Sequence, residues 1–393
     1  MSEVKKMQQE DYQKMFDLAQ YAFQFETSGA YQERFEYLAK HSINYGSFEG
    51  DNLASQVMMT LFHVNFFGQK HQMGGVGFVS SDPSFRGGGR IDQIMQELLN
   101  DCREQGILFS YLAPFSYPFY RRYGYELLFE RMSFNIPSEK WLKTVAKATG
   151  NVRRVNWEEA KDVLQVIYAK SMVKEEGYLV REDWWAYYRF ELNRSNYYAI
   201  YYDEQNEAQG YLVYQINNGV FTCVEWQFLS KNAQQALNRY IASHIDSVKE
   251  FKYEQSFKKV TPFFETATPL AHVSIRPEMM VRIVDVEAFL NVYPFDTLSK
   301  SFAITIEEDR YASWNEGTYE IVVSDERSVS IKKVQQTILP KLTISVQRFA
   351  QLFLGYRSIE ELLFHEFMEA DEEVISIIES IEPKKTPILE DYF

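Results

Sequence analysis

The sequence predicts a mixed α+β and α/β protein whose 393 residues form three domains. A β-prone run, a glycine loop and an amphipathic helical run follow one another within residues 76–106. Within residues 196–251, three β-prone stretches lead directly into a second helical run. After residue 286, β-prone stretches come before helical ones, which is the order of an α+β domain. The predicted domains are residues 1–148, 149–285 and 286–393.

The first domain is expected to start with two helices and to continue with three strands. Apolar residues recur at helical spacing in DYQKMFDLAQYAFQF (11–25) and YQERFEYLAKHS (31–42). β-prone stretches follow at 44–50, 55–68 and 73–81. The last of these strands leads into the glycine loop, so the loop stands between a strand and a helix.

Three consecutive glycines, Gly87 to Gly89, lie between Arg86 and Arg90 at this strand-to-helix junction. The first N–H groups of a helix have no internal acceptor, and the helix dipole adds positive potential there. Glycines let the main chain approach an anion without a Cβ in the way, and arginines can add charge-assisted hydrogen bonds. The junction is therefore a candidate phosphate-binding site. The alternative is a tight turn that binds no ligand.

The familiar nucleotide fingerprints do not fit this loop. No Lys-Ser or Lys-Thr pair follows the glycines, as a Walker loop requires, and there is no G-x-G-x-x-G. What fits is R-x-x-G-x-(small), with Ile91 in the last place, where Gly or Ala is usual. The run Arg86-Gly87-Gly88-Gly89-Arg90-Ile91 resembles the pyrophosphate loop of the GNAT N-acetyltransferases, which bind acetyl-CoA.

A second motif about thirty residues further on strengthens this resemblance. The segment F-Y-R-R-Y-G-Y (119–125) is similar to the F-Y-x-x-x-G-F segment that GNAT enzymes carry after their fifth strand. The resemblance implies that Tyr120 is the general acid, which protonates the thiolate of CoA as the tetrahedral intermediate collapses. The alternative is that Tyr120 only packs, because the chain contains 27 tyrosines.

The second domain repeats the order of the first domain without its loop. Residues 196–230 form three predicted strands with polar turns at 203–210 and 217–219, and the helical run 232–251 follows at once. We expect a second copy of the same core that has no pyrophosphate loop and binds no CoA. An unrelated α/β domain with the same order of elements is the alternative.

The third domain has β-prone stretches at 301–309, 317–325, 327–334 and 342–350, and helical stretches at 358–367 and 372–381. The chain ends in the apolar and aromatic run ILEDYF (388–393), which we expect to dock because chain ends are usually polar and frayed.

Two GNAT-like domains followed by a domain like the sterol carrier proteins resemble, over the whole chain, the enhanced-intracellular-survival (Eis) family of bacterial acetyltransferases. That resemblance implies that the α-carboxylate of Phe393 reaches into the first domain's active site and acts as general base. The alternative is that Phe393 simply caps an apolar patch.

The reaction that the resemblance implies is direct acyl transfer. A primary amine gives a proton to the Phe393 carboxylate and attacks the thioester of acetyl-CoA, and main-chain N–H groups of the strand that leads into the glycine loop polarise the thioester carbonyl. Tyr120 then protonates the thiolate, and no covalent enzyme intermediate is needed. Besides the catalytic Tyr120 and Phe393, the residues expected to bind acetyl-CoA are Phe78, Val79, Ser80, Ser81, Arg86, Gly87, Gly88, Gly89, Arg90, Ile91, Asp92, Phe115 and Ser116.

Composition limits the possible partners. A net charge of −14 and a pI of about 5.1 argue against nucleic acid, whose binders carry basic surfaces. The charge suits a cationic acceptor such as an aminoglycoside, a polyamine or a lysine amine, although it can equally serve solubility. The six histidines are scattered, and the two cysteines lie in different segments, so we expect neither a metal site nor a disulfide.

No apolar run approaches the roughly 20 residues of a membrane span, and the N-terminal residues have no apolar signal-peptide core. We therefore expect a cytoplasmic enzyme with a small-molecule amine as its acceptor. The family resemblance implies a homo-oligomer, either a hexamer or a smaller closed assembly. The alternative to an enzyme is a lipid- or small-molecule-binding protein that uses the domain like the sterol carriers.

Overall fold

The computed structural model describes residues 4–25, 29–141, 148–257, 272–324, 326 and 328–393. The chain divides into two units. The first contains the chain up to Phe129, together with Glu278–Pro387 and Asp391–Phe393. The second contains Glu130–Pro277 and Ile388–Glu390. Both units combine helices with β-sheet, and the mixed fold class predicted from the sequence is confirmed.

The strands, in chain order, are β1 (Val4–Met7), β2 (Ser42–Glu49), β3 (Asn52–Phe66), β4 (Gln69–Ser81), β5 (Phe109–Leu112), β6 (Glu126–Pro137), β7 (Asn151–Val155), β8 (Tyr197–Tyr202), β9 (Ala208–Asn217), β10 (Val220–Phe228), β11 (Glu250–Ser256), β12 (His272–Ile283), β13 (Phe302–Ile306), β14 (Gly317–Val323), β15 (Val329–Val334), β16 (Lys341–Ile344) and β17 (Met368–Ala370). The helices are α1 (Tyr12–Phe23), α2 (Gly29–Lys40), α3 (Arg90–Glu104), α4 (Tyr117–Arg121), α5 (Trp157–Met172), α6 (Asp183–Ala186), α7 (Lys231–Ala242), α8 (Val286–Val292), α9 (Val346–Phe353), α10 (Ile359–Phe364) and α11 (Glu372–Ile381).

The main sheet of the first unit has the order β1-β2-β3-β4-β5-β12. β4 and β5 are parallel, and the other neighbouring strands in this sheet are antiparallel. α3 connects β4 to β5 and packs on the sheet through Ile94, Met95, Leu98, Leu99 and Cys102, all buried. Their spacing of three and four residues puts them on one face of the helix, which explains the amphipathic pattern of its sequence.

The second unit repeats this arrangement in the order β6-β11-β10-β9-β8-β7, with β10 and β11 as its parallel pair. The three predicted strands of residues 196–230 are confirmed as β8, β9 and β10. The predicted helix 232–251 is too long. It ends at Ala242, and the residues from Glu250 form β11, where alternate residues are buried as in a strand.

The two copies of the core exchange their last strands. β6 pairs with β11 of the second copy, from Arg131 opposite Ser256 to Pro137 opposite Glu250. β12 pairs with β5 of the first copy, from Met280 to Ile283. Each copy therefore takes a strand from the other part of the chain, which sequence order alone does not reveal.

The C-terminal region of the first unit forms a five-stranded sheet in the order β15-β14-β13-β16-β17, with α8 to α11 around it. The predicted strand 342–350 is only partly a strand. The strand ends at Ile344, and the rest of the segment belongs to α9, because the Ser345 side chain accepts a hydrogen bond from the Arg348 N–H and caps the helix. Of the helices in the described part of the chain, none has the length and apolar character that a bilayer crossing requires.

Candidate active site

The parallel strands β4 and β5 stop pairing before β4 ends. Their register runs from Met73 opposite Phe109 to Val76 opposite Leu112. β5 ends at Leu112, whereas β4 continues to Ser81. The last five residues of β4 therefore have an open side where the neighbouring strand would otherwise continue.

β4 also carries a bulge in this open part. Its register with β3 shifts between Gly77 and Ser80, so Phe78 and Val79 have no register partner on β3. Phe78 has a φ of 51°, a left-handed conformation that costs a non-glycine residue about 1–2 kcal/mol. The Ser80 hydroxyl donates to the Phe78 carbonyl at 3.1 Å. A strained residue in a bulge re-aims main-chain N–H groups and is typical of functional sites.

The glycine loop lines a cavity of about 310 Å³ at the start of α3. Gly87 and Gly89 have φ values of 87° and 67°, which favour glycine. Gly89 is the N-cap of α3, and it has no side chain that could accept from the first N–H groups of the helix. The hydrogen bonds of the helix begin where the Gln93 N–H donates to the Gly89 carbonyl. The cavity is lined by Ser55, Ser81, Phe85, Arg86, Gly87, Gly88, Gly89, Arg90, Ile91, Asp92 and Arg122.

Three arginines line this cavity, but their charges are not equally available. Arg90 donates to Glu49 at 2.5 Å and to Ser47 at 3.2 Å. Arg86 is exposed and forms no ion pair with a carboxylate of the described residues. Arg122 is half-exposed and lies 3.4 Å from the Asp92 carboxylate. Arg86 and Arg122 are therefore the cations best able to meet an anion here.

Asp92, in the first turn of α3, is held in place by its neighbours. Its carboxylate accepts a hydrogen bond from the Tyr123 hydroxyl at 2.5 Å and pairs with Arg122. Burial, followed by this hydrogen bond, raises the pKa of Tyr123 well above its ordinary value. Asp92 thus fixes Arg122 at the cavity wall, so its position supports an anion site indirectly.

Tyr120 lies on α4 with its ring buried and 2% exposed. The rings of Phe115 and Phe119 meet it edge-on, at centroid distances of 5.3 and 5.0 Å. Burial, followed by the neighbouring Tyr125, raises the pKa of Tyr120 above its ordinary value of 10. The phenol therefore stays protonated at physiological pH, as a general acid must before it acts.

A buried arginine holds the turn that follows Tyr120. Arg282, on β12, is fully buried, donates to the Tyr123 carbonyl and forms an ion pair with Asp309. Asn315 also donates to Asp309, at 3.0 Å. Gly124 has a φ of 82°, and a Cβ there would collide with the Arg282 guanidinium. Asp309 and Asn315, in the C-terminal region, thereby hold the Arg282 that contacts this turn.

The C-terminal residue lies against β4. The ring of Phe393 packs on Phe62, with centroids 4.8 Å apart, and a Cβ on Gly75 would come within 2.6 Å of it. Gly74 faces Met59 and Cys102, and adjacent residues of a strand point to opposite faces. Phe393 therefore occupies the face of β4 opposite α3. Gly75 leaves the space for its ring.

One hydrophobic cluster joins the loop, the bulge and the predicted acid. Tyr120 belongs to it, and Val79 and Ile91 pack against it. Phe115 lies beside Tyr120, and the Ser116 carbonyl accepts a hydrogen bond from the Tyr120 N–H at 3.3 Å. Val79, Ile91 and Tyr120 thus share one cluster in the first unit, with Phe115 and Ser116 beside Tyr120.

Sequence reasoning missed Arg122 and Gly75. Arg122 follows Arg121 in the tyrosine motif, and the sequence does not tell which of the two faces the loop. In the structure Arg121 binds Glu126 at 2.8 and 2.9 Å, whereas Arg122 lines the cavity. Gly75 has no local signal, because the ring that it accommodates belongs to Phe393.

Among the described residues, the cysteines and the potential metal ligands do not form a further site. Both cysteines are buried, and burial raises the pKa of Cys102 to about 12, so it stays a thiol. Within the described ranges, no group of three or more His, Cys, Asp or Glu side chains is arranged to hold a metal ion.

Comparison with protein families identifies three segments. Residues 3–128 match an acetyltransferase (GNAT) domain, residues 151–283 match another acetyltransferase (GNAT) domain, and residues 286–390 match a sterol carrier protein domain. No protein with curated annotation is significantly similar in sequence.

Several solved structures are similar over the whole chain. A conserved protein of Enterococcus faecalis V583, described as a probable N-acyltransferase, is 40% identical, with a TM-score of 0.93 and 100% of both chains covered. A GCN5-related N-acetyltransferase from Anabaena variabilis is 20% identical, with a TM-score of 0.85, again over 100% of both chains. Eis1 from Mycobacterium abscessus is 17% identical, with a TM-score of 0.79 and 100% of both chains covered. The last two show the fold alone.

The glycine loop yields a test with an internal control. Alanine at Gly87 or Gly89 should weaken acetyl-CoA binding about five- to thirtyfold, because a left-handed residue other than glycine costs about 1–2 kcal/mol. Gly106→Ala is the control and should leave this affinity unchanged, because Gly106 has a φ of 69° and open space for a Cβ but lies beyond the other end of α3. Calorimetric titration gives the dissociation constants. Unchanged affinity at Gly87 and Gly89 would show that the loop is only a turn.

The buried ion pair yields a second test. Asp309→Ala should lower the free energy of unfolding by about 3–5 kcal/mol, because it leaves the fully buried Arg282 without its counter-charge. Arg357→Ala is the control, since its pair with Glu361 is exposed and such pairs contribute about 1 kcal/mol or less. Urea unfolding followed by circular dichroism measures both. Equal small losses would contradict the role given to Arg282.

Proposed function

The chain belongs to the acetyltransferases that join two GNAT domains to a sterol carrier protein domain, and we propose that it transfers acetyl from acetyl-CoA to a primary amine of a cationic acceptor. One observation carries this proposal. β4 opens away from β5 after Val76, and the same strand ends at the glycine loop and its cavity. The pantetheine arm joins the thioester of acetyl-CoA to its pyrophosphate. The molecule therefore needs both an opening for the thioester and a cavity for the pyrophosphate along one strand.

In the proposed donor site, the pyrophosphate lies at the start of α3. The N–H groups of residues 87–92 precede the first helical hydrogen bond, and Arg86 and Arg122 supply positive charge. Phe115 and Ser116 border the pantetheine arm. The open side of β4, at Phe78, takes the thioester.

In the proposed reaction, the N–H groups of the bulge at Phe78 and Val79 stabilise the oxyanion of the tetrahedral intermediate. They are fixed before the substrate arrives, because the bulge and its left-handed residue are built into the strand. Tyr120 donates its phenol proton to the sulfur as the C–S bond breaks. CoA then leaves as a thiol, and the acetyl group remains on the amine.

The proposed base is the α-carboxylate of Phe393. An amine attacks only in its neutral form, so a carboxylate near it can accept the proton lost during attack. The packing of the Phe393 ring over Gly75 and Phe62 supports this role, because it keeps the chain end beside β4, three residues before the bulge. The same packing is also what an apolar cap would show, so the carboxylate itself must be tested.

We propose that the acceptor binds near the Phe78 side chain, where aromatic rings are abundant. The Phe78 ring meets Phe23, Phe25 and Phe35 edge-on, at centroid distances of 5.0–6.1 Å, and Tyr31 stacks on Phe25 at 6.2 Å. Phe23 and Tyr31 are 44% and 47% exposed. Aromatic faces attract cations, and the net charge of −14 adds long-range attraction. These features favour a cationic amine, such as an aminoglycoside, a polyamine or a lysine side chain.

We also propose that the protein acts as an acetyltransferase of the Eis type. The shared domain order and the docked chain end support this. We also propose a closed homo-oligomer of up to six chains and a cytoplasmic location. The lipid-binding alternative has less support. The cavity of about 490 Å³ beside α8 and β15 has Gln69, Asn291 and Asp296 in its lining, and such polar groups do not suit an acyl chain.

Tyr120→Phe tests the acid. The substitution should lower kcat about 10²- to 10⁴-fold, the usual contribution of general acid catalysis, and should leave the affinity for acetyl-CoA unchanged. Tyr117→Phe, at the start of the same helix, is the control and should keep its activity. Release of CoA with a panel of amines, followed by thiol titration, measures the rates. A fully active Tyr120→Phe enzyme would remove this residue from the mechanism.

Addition of one glycine after Phe393 tests the base. The ring stays, but the carboxylate moves by one residue, so kcat should fall about 10²- to 10⁴-fold. The deficit should shrink as the pH rises toward about 10, because more of a lysine-like acceptor amine becomes neutral without help. The wild-type rate should show no decline from ionisation of Tyr120 over the same range, since burial raises that pKa.

Gly75→Ala gives independent evidence on the chain end. Its Cβ would come within 2.6 Å of the Phe393 ring, so it should displace the ring and lower kcat. Gly29→Ala, at the start of α2, is the control, because Gly29 is not left-handed and no atom lies within 4 Å of its Cβ. Full activity in both the glycine-extended enzyme and Gly75→Ala would leave the carboxylate without a catalytic role.

A further inference from the structure

The second GNAT domain keeps the strand opening of the first. β10 and β11 pair in parallel from Val220 opposite Glu250 to Cys223 opposite Tyr253, and β10 then continues to Phe228. The register of β10 with β9 shifts just after Cys223, as that of β4 with β3 does in the first domain. The fold therefore repeats the feature that, under the proposed function, receives the thioester.

The second domain does not keep the phosphate site. Only two residues separate β10 from α7, and Ser230 is the N-cap of that helix. The Ser230 side chain accepts a hydrogen bond from the Ala233 N–H at 3.1 Å. The helix start is thus closed by the chain itself, whereas the start of α3 has a glycine loop and no side-chain cap.

A segment of the C-terminal tail lies at the open end of β11. Ser256, the last residue of β11, donates its N–H to the Glu390 carboxylate at 3.0 Å and accepts the Leu389 N–H at its hydroxyl, at 3.3 Å. Arg131, opposite Ser256 on β6, donates to the Leu389 carbonyl at 3.2 Å. The tail therefore contacts the sheet where β11 stops.

The β10 side holds the same segment through a buried charge cluster. Arg189 donates to the Glu390 carbonyl at 2.9 Å and to Glu225 of β10 at 3.3 Å. Glu225 is fully buried, and it also binds Arg181 and the Tyr211 hydroxyl. Burial raises the pKa of Glu225, but Arg181 and then Arg189 outweigh this and hold it at about 2. Glu225 is thus a fixed anion that orients Arg189 toward the tail.

Apolar contacts complete the binding of the segment. Ile388 packs in a cluster with Tyr168, Met172 and Tyr178, and its N–H donates to the Glu176 carbonyl at 2.8 Å. Ile388 and Leu389 are each 1% exposed, and Glu390 is 5% exposed. Three consecutive residues are thus buried, and each forms a hydrogen bond with the second domain, which indicates a built site.

We propose that the second GNAT domain is a peptide-binding groove whose ligand is the chain's own segment Ile388–Glu390, seated where β10 parts from β11. The domain binds this segment in place of an acyl donor. Three residues follow the groove, which limits the reach of the terminal carboxylate to roughly 10 Å from Glu390. Arg131, Arg189 and Ser256 are positioning residues for that carboxylate, and this link to catalysis rests on the proposed function.

Hydrogen exchange measured by mass spectrometry on the full-length protein tests the groove. In the wild type, the N–H groups of Ile388 and Leu389 should exchange slowly, because both are hydrogen-bonded and buried. Arg189→Ala, 199 residues earlier in the chain than Ile388, should speed their exchange at least tenfold. The tail variant, with alanine at both Ile388 and Leu389, should likewise speed the exchange of the other tail N–H groups. Tyr392→Ala, whose side chain is 60% exposed, is the control and should keep the protection.

Two further readouts separate the groove from the proposed function. Calorimetry should find one acetyl-CoA per chain, and two would overturn the groove assignment. In Arg189→Ala, kcat should fall with the affinity for acetyl-CoA unchanged. Faster exchange at full kcat would support the groove and count against the catalytic carboxylate. Unchanged exchange in both Arg189→Ala and the tail variant would overturn the groove itself, and circular dichroism confirms that the variants are folded.

Discussion

The interruption of a parallel strand pair is the constraint on which this structure depends. Main-chain N–H and C=O groups need partners, so a strand that loses its neighbour must bind something else in its place. β4 loses β5 after Val76 while it is still held by β3, and a bulge interrupts its register with β3 in the same open part. The proposed thioester site, the loop beyond it and the chain end beside it all lie along this one strand.

The same interruption has a different partner in each copy of the core. In the first copy, a loop of eight residues with three glycines follows the strand and leaves the helix start uncapped. In the second copy, the connection is two residues long and Ser230 closes the helix start. At the second opening, Glu390 of the tail accepts the N–H of Ser256, the last residue of β11. Under our two proposals, the first copy binds the acetyl donor and the second binds the chain's own tail.

The C-terminal region matters to the site through buried polar contacts rather than through a ligand cavity. Asp309 neutralises Arg282, and Arg282 donates to the Tyr123 carbonyl in the turn that follows Tyr120. A buried arginine without such a partner is strongly destabilising, so this turn and the C-terminal region are energetically linked. The exchanged strand β12 carries Arg282, which gives the strand exchange a consequence for the site.

Local features of the sequence determined the glycine loop, the tyrosine motif, the strand order within each domain and the mixed fold class. Each depends on residues close together in the chain, where spacing and backbone preference act directly. The prediction of a helix over residues 232–251 was wrong in its second half because helical and strand patterns overlap in short apolar runs. Only the tertiary structure decided the strand exchange, which of Arg121 and Arg122 lines the cavity, the packing of Phe393 on Gly75 and the contacts of the tail with the second domain. These pair residues that are far apart in sequence, and a contact between distant residues leaves no local pattern to read.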